Sequence, residues 1–419
     1  MEDSIFLMNN MWVIFATVLV ILMQGGFILL EAGSTRMKNA GHTAGKSIFA
    51  FGLASITFWA VGYGFIYGEG TFIGMTDFFF GEFTGVSDGL MGSVDFMFQL
   101  AFAGIALAIA FGGFAERAKL SVYIIFAILF TAVIYPVVAH WIWGSGWLAG
   151  LEKQDFAGST VVHLTGAMAA LAATLLLKPR IGKFNADRSS NPLSGHNQVY
   201  TVLGVLILWV GWFGFNAGST LGVDDGFFGY VALVTQLAAA AGALAALLIT
   251  WVDKGKADVP TMLNGTLAGL VAITASCAFV APWAAVIIGF VAGVLVYYSM
   301  KFFESRGIDD PIYALSVHGM AGVWGTLSTG LFATPQLAAM NGGSAGLLYG
   351  GGFSQLGVQA IGVVACGVFA FGASYGLLLL LRPLVGGLRV SREKELLGLD
   401  MSEHGSYGYP ENFASEEAK

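Results

Sequence analysis

Charge is scarce in this chain of 419 residues. Asp, Glu, Lys and Arg make up 11% of it against 56% apolar residues, and the mean hydropathy is +0.75. A soluble domain carries about 25% charge, so the composition excludes a water-solvated globule. Cysteine is scarcer still. Cys277 and Cys366 both fall in apolar runs, without metal-site spacing, and read as small buried hydrophobes. No disulfide can be argued from their positions. The Met-Glu-Asp start lacks the basic residues of a cleavable signal peptide. No nucleophile, metal or cofactor motif points to an enzyme.

What is present is a recurring apolar run of about 20 residues, long enough to cross a bilayer as a helix. Backbone groups cannot stay unpaired in lipid, so such runs fold as helices. Eleven spans are expected, at about 11–31, 47–67, 95–115, 120–142, 158–177, 198–219, 228–251, 261–280, 284–303, 312–332 and 356–381. Linkers are mostly short, except for hydrophilic loops near 68–94 and 333–355. The fold class is an all-α polytopic membrane protein, with one transmembrane domain over 1–381 and a polar tail over 382–419. The 59 glycines exceed the needs of turns. Pairs four apart (Gly214 and Gly218, Gly265 and Gly269, Gly289 and Gly293, Gly372 and Gly376) predict close helix packing.

With eleven spans, every Lys and Arg from Arg36 to Lys419 falls on one side, Lys46 included, and only Lys153 falls on the other. The positive-inside rule makes the first side cytoplasmic, with the N-terminus outside and the C-terminus inside. The outer loops are acidic instead, with Glu69, Asp77, Glu82, Asp88, Asp155, Asp224 and Asp225. Such a vestibule gathers cations.

A repeat underlies the spans. Span five opens Asp155-Phe-Ala-Gly-Ser-Thr-Val-Val-His163, and span ten opens Asp310-Pro-Ile-Tyr-Ala-Leu-Ser-Val-His318. In each, Asp precedes His by eight residues. The spans are five apart and cross in opposite directions, so the pattern is an inverted repeat with a site near the midplane. The halves are about 11–177 and 198–332, and the last helix, about 356–381, lies outside them.

An ionisable group inside a span is a functional candidate by default. Pseudo-symmetry brings His163 and His318 together near the bundle axis. Two desolvated imidazoles resist gaining charge and can share one proton. They could relay a proton or hydrogen-bond a small neutral molecule. Either histidine alone fits a satisfied core residue equally well, and a zinc pair lacks a third ligand. His42, His140, His196 and His404 have no symmetric partner and look unremarkable. Asp155 and Asp310 precede their helices and suit helix capping; Pro311 after Asp310 suits a helix start. Asp155 could also add field favouring a cation.

An aromatic set lies near the outer ends: Phe102 with Gln99 in span three, Phe215 and Asn216 in span six, and Trp143 past span four. Aromatic faces attract cations by about 0.5–2 kcal/mol, and Ser219 could accept a hydrogen bond from an ammonium donor. Any one of these rings would also serve as core or lipid-facing belt.

Here the residues resemble a known family. The segments Asp155–His163 and Val317-His318-Gly319 are similar to the pore-histidine signatures of the Amt ammonium transporters. Phe111-Gly-Gly-Phe-Ala-Glu-Arg117, Trp209-Val-Gly-Trp-Phe-Gly-Phe-Asn-Ala-Gly-Ser219 and Gly398-Leu-Asp-Met-Ser-Glu-His-Gly405 resemble further blocks in the same order. The resemblance runs from Glu31-Ala-Gly33 to the tail. It implies two inverted five-helix halves plus a final helix, assembled as a homotrimer with one pore per subunit. It implies ammonium recruitment at Trp143, Ser219 and Phe102, a gate of Phe102 and Phe215, and twin pore histidines His163 and His318. Asp155 matches the Asp that organises the outer site, and Gln99 a polar neighbour of the gate; Asn216 and Asp310 are expected as further supporting residues. The tail is similar to the segment bound by PII-type regulators. Tyr313 stands where some bacterial relatives have Asp.

The function this implies is electrogenic ammonium uptake across the cell membrane, with no cofactor and with methylammonium as a possible second substrate. Ammonium loses its proton near the gate, because a bare cation in a dry pore is very costly. Ammonia passes the histidines and the proton crosses separately. The alternatives are a passive ammonia channel, as in the related Rh proteins, and an ammonium sensor. A tail of about 38 residues is short for an independent output domain.

Overall fold

The apolar runs fold as long helices joined by short connections. The computed structural model describes residues 2–81, 86–87 and 89–413; Glu82, Asp88 and Lys419 lie outside them. Nine helices among the described residues are long and apolar enough to cross a membrane. They are α1 (Asp3–Ser34), α2 (Met37–Tyr67), α3 (Gly92–Phe114), α4 (Leu120–Ile142), α5 (Ser159–Leu177), α6 (Gln198–Ala217), α7 (Asp224–Lys254), α9 (Pro282–Ser305) and α11 (Ser354–Leu384). The other two expected spans are the 16-residue helix α8 (Val259–Thr274) and the helix α10 over residues 315–332. At 1.5 Å per residue α8 is only about 24 Å long, so length and apolarity alone do not establish eleven spans. The chain is a multi-pass membrane protein. The only sheet among the described residues pairs Val86–Ser87 with Leu90–Met91.

The helices depart from the expected spans mainly at their ends. α1 starts well before residue 11. α2 starts at Met37, which puts Lys46 inside the helix, where it is buried and pairs with buried Glu31 at 2.6 Å. α10 starts later than expected. Pro311 sits in a turn and not in the helix, because Tyr313 takes a left-handed φ of 60° and separates the two.

Small residues set the helix spacing. A Cβ on Gly269 or Gly289 would fall 2.3 Å or 2.1 Å from the Ala238 carbonyl oxygen, so α7, α8 and α9 touch backbone to backbone. Gly214, Gly218, Gly265 and Gly293 are equally confined. Gly372 and Gly376 are not: open space surrounds both Cβ positions, which corrects the expectation for that pair. They lie on α11, which packs against α5 and α10 and leaves much of its surface outside the core. α3 is the opposite case, almost wholly buried between α1, α2 and α5.

Buried charge ties one end of the bundle together. Arg180 donates to Asp309 from Nε and Nη2 at 2.8 Å each, and to Glu116 from Nη1 at 2.8 Å. Arg36 also binds Glu116, and Arg117 donates to the Asp309 carbonyl at 3.0 Å. Burial raises the Glu116 and Asp309 pKa values, but the neighbouring arginines outweigh it and hold both below the usual carboxylate range. Burial lowers Arg117 to about 10 against the pull of Asp309.

The polar tail docks at the same end. Its described residues form three short helices, α12 (Arg392–Leu397), α13 (Leu399–His404) and α14 (Pro410–Phe413). Asp400 accepts from Gly41 N at 3.0 Å and His42 N at 2.7 Å, and Leu399 N donates to Asn39 at 2.8 Å. His42 and His404 share a hydrogen bond of 2.9 Å, and His196 meets Tyr409 at 3.0 Å. Three histidines that looked unremarkable therefore fasten the tail. His140 is buried too, with ring nitrogens 2.5 Å from the Ile66 carbonyl and 2.9 Å from the Gly70 carbonyl.

Candidate functional site

The repeat seen in the sequence is built as two matching turns. Asp155 accepts from Gly158 N at 3.1 Å and from Thr160 N and Val161 N at 2.9 Å each. Asp310 accepts from Ala314 N at 3.0 Å and Leu315 N at 2.7 Å. Three residues after each Asp the backbone turns left-handed, at Gly158 (φ 114°) and Tyr313 (φ 60°). Each helix then opens with a π-helical turn, Ser159–Leu164 and Leu315–Met320. These wide turns hold the two histidines; such turns occur often at functional sites. A third, Phe213–Ala217, holds Phe215 and Asn216.

The turns bring His163 and His318 into contact. Their Nδ1 atoms lie 3.2 Å apart and their rings stack at 5.2 Å, 13° from parallel. Such a bond needs one imidazole to donate and the other to accept, so the pair shares one proton between its Nδ1 atoms. Both rings are buried. Phe215 lies 5.5 Å from His163, and Phe102 lies 4.1 Å from Phe215, the two phenyl rings 30° from parallel. Trp143 meets Phe102 edge-on at 5.9 Å. Trp143, Phe102, Phe215, His163 and His318 thus form one unbroken column of rings.

The remaining residues divide by role. The Trp143 indole donates to the Asp155 carbonyl at 2.8 Å, which anchors the partly exposed tryptophan to the turn before α5. Ser219 is also partly exposed and donates to the Phe215 carbonyl at 2.8 Å, which leaves its oxygen lone pairs able to accept. Asn216 is buried and donates to Thr235 at 3.0 Å, linking α6 to α7. Gln99 donates to Asp95 at 3.2 Å, one turn earlier in α3.

Asp310 lies beyond the far end of the column, on a cavity of about 700 Å³ also lined by Arg180, Lys183, Asp309, Tyr313 and Ser316. Burial pushes the Asp310 pKa up to about 7 against its two backbone hydrogen bonds. Asp155 caps the turn before its helix, as its place there suggested, and is not a free carboxylate of the outer loops. It is buried, and buried Lys153 lies 3.8 Å away.

Two neighbours were not legible from sequence. Trp212 stacks on His163 at 5.2 Å and donates to Thr274 at 2.8 Å, fixing the ring on that face. It lies in the Trp209–Ser219 block, but composition gave no reason to prefer it. Phe27 lies 6.2 Å from His318.

A model of the Ammonium Transporter Family matches residues 11–409. This chain belongs to the ammonium transporter family. Among its relatives, ammonium transporter Amt2 of Archaeoglobus fulgidus is 43% identical, with 97% of this chain and 89% of that protein aligned. Among solved structures, one titled "Sensor Amt Protein" superposes with a TM-score of 0.90 at 38% identity, covering 96% of this chain and 100% of that one. Mep2 of Candida albicans superposes with a TM-score of 0.89 at 29% identity, covering 99% and 93%.

Proposed function

We propose that this protein carries ammonium across a membrane along the ring column, as its relatives' names indicate for them. The observation that carries the reading is the 3.2 Å imidazole pair directly beneath the 4.1 Å phenyl stack. Ammonium is recruited by the Trp143 and Phe102 faces and the Ser219 hydroxyl oxygen. The Phe102–Phe215 stack leaves no room for a hydrated ion, and a bare cation in the dry column is too costly. The ion therefore gives up its proton at the stack. His163 takes that proton at Nε2, the shared proton shifts to His318 Nδ1, and His318 releases its own from Nε2; ammonia moves past the pair and recombines with the released proton in the far cavity beside Asp310. The net movement is one positive charge.

In this reading α8 and α10 complete eleven spans, with α1–α5 and α6–α10 as inverted halves. The arginine-rich end and the docked tail face the cytoplasm and the N-terminus faces outside, in the plasma membrane. The assembly is a homotrimer, and the tail is the binding element for a PII-type regulator. The test is an ammonium jump on purified protein in liposomes on a solid-supported membrane. An inward positive transient supports the reading. Ammonia flux without current identifies a passive channel, and ammonium binding with neither signal identifies a sensor.

A further inference from the structure

Lys153 is the single Lys or Arg that falls on the opposite side from all the others, and the structure buries it completely. Its Nζ lies 3.8 Å from Asp155 Oδ2 and donates one long hydrogen bond, 3.4 Å, to the Gln154 carbonyl. Its methylene stem crosses α11 at Gly362, where an added Cβ would fall 2.3 Å from Lys153 Cε. Gln359 of α11 clamps the next residue, accepting from Gln154 N at 3.0 Å and donating to Gln154 O at 2.7 Å. The lysine is therefore held in place by the last helix and does not sample the loop surface.

Asp155 does not need this lysine for hydrogen bonding, because three backbone N–H groups already serve its carboxylate. What Lys153 adds is charge. Burial lowers its pKa and the Asp155 carboxylate pulls it back up. The pair stands directly behind the outer aromatic site, since the Trp143 indole is bonded to the Asp155 carbonyl. A buried carboxylate with no counter-charge attracts a cation strongly, and one with a resident ammonium group beside it does not.

We infer that Lys153 is a built-in surrogate cation that offsets Asp155 and so weakens, and thereby sets, the affinity of the outer site for ammonium. The inference rests on the reading of Trp143, Phe102 and Ser219 as the recruitment site. Because the effect is one of charge and not of shape, it applies equally to ammonium and methylammonium.

The test compares wild type with Lys153→Met, Lys153→Gln and the charge-keeping Lys153→Arg. Two readouts are taken on purified protein: the ammonium concentration giving half-maximal current, and the concentration giving half-maximal thermal stabilisation. Removing a unit charge from the low-dielectric wall of a cation site is expected to lower both by about tenfold in Lys153→Met. Lys153→Arg, which keeps the charge, stays nearer wild type than Lys153→Met. Lys153→Gln is read in place of Lys153→Met should the latter not fold. Unchanged half-maximal concentrations in the folded neutral variant overturn the inference. So does an equal gain in Lys153→Arg. A wild type without saturable current refutes the transport reading instead, and the thermal titration still decides the role of Lys153.

Discussion

Replacing Arg180 by Met tests whether the buried charge cluster holds the two halves of the repeat together. Arg180 follows α5 and Asp309 precedes α10, so their three hydrogen bonds, one of them from the Arg180 backbone N–H at 2.8 Å, join the two histidine-bearing helices. A fourth bond reaches Glu116, after α3. Side-chain exposure is 4% for Arg180, 0% for Glu116 and 1% for Asp309. Removing one partner of a buried ion pair costs about 3–5 kcal/mol, because the remaining charge is stranded. Two carboxylates are stranded here, but Arg36 and Arg117 stay beside them, so the same range applies. For a chain of this size the loss corresponds to about 3–6 °C in melting temperature.

The pH dependence sharpens this test. In wild type the folded pKa values of Glu116 and Asp309 are depressed. Their stabilisation is fully present above the unfolded values, near 4, and is lost only as pH falls further through the folded ones. Between pH 7 and pH 5 the cluster therefore contributes no slope. In Arg180→Met the stranded carboxylates are pushed upward and take up protons in that window, so the variant recovers stability on acidification. Thermal unfolding of the purified protein in detergent, followed by tryptophan fluorescence at pH 7 and pH 5, reads both effects. A loss below about 2 °C, or a loss equal at the two pH values, refutes the reasoning.

Three further outcomes are expected. Gly289→Ala, whose Cβ would meet the Ala238 oxygen at 2.1 Å, lowers the yield of folded protein in size-exclusion chromatography. Gly372→Ala, with open space around it, leaves the yield unchanged or raises it, since Ala favours the helix by about 1 kcal/mol; similar behaviour of the two variants contradicts the packing account. Asp310, raised to about 7, contributes stability that is present below about pH 4 and is lost as pH rises through 7, on the order of 4 kcal/mol. Asp310→Asn removes that titration at the cost of one of the two backbone hydrogen bonds, so its melting temperature relative to wild type rises between pH 5 and pH 8, and a constant difference contradicts this. His404→Ala removes the 2.9 Å bond to His42, worth about 1 kcal/mol. It should speed cleavage of the tail by trypsin at Arg389 or Arg392, and an unchanged rate shows that the bond does not hold the tail.

The sequence carried the helical membrane class, because lipid forces twenty-residue apolar runs into one conformation. It also carried the pairing of His163 and His318, because an eight-residue Asp-to-His spacing repeated in opposed helices has few other readings. Helix ends were less legible: α1 and α2 extend well beyond their apolar cores, and polar residues such as Lys46 are tolerated where a buried partner, Glu31, meets them. The π-helical turns left no pattern, since they arise from tertiary packing and not from propensity. Charge was misread where burial decides its role. Asp155 reads as a helix cap and is one, but it does not also belong to an acidic vestibule: the carboxylate is buried with Lys153 3.8 Å away. The tail reads in sequence only as polar, yet Asp400, His404 and Glu395 each have a specific partner on the bundle. Polar residues that bond over long sequence separations have no local signature.

The central claim is that charge crosses by way of the histidine pair while ammonia uses the same column. It is tested most directly by current and ammonia flux measured on the same liposomes for wild type and for the His163→Ala, His318→Ala double variant. The account predicts an ammonium-evoked current in wild type and its loss in the variant, with ammonia flux, read by an internal pH dye, retained through the widened column. A variant that keeps the full wild-type current would contradict it.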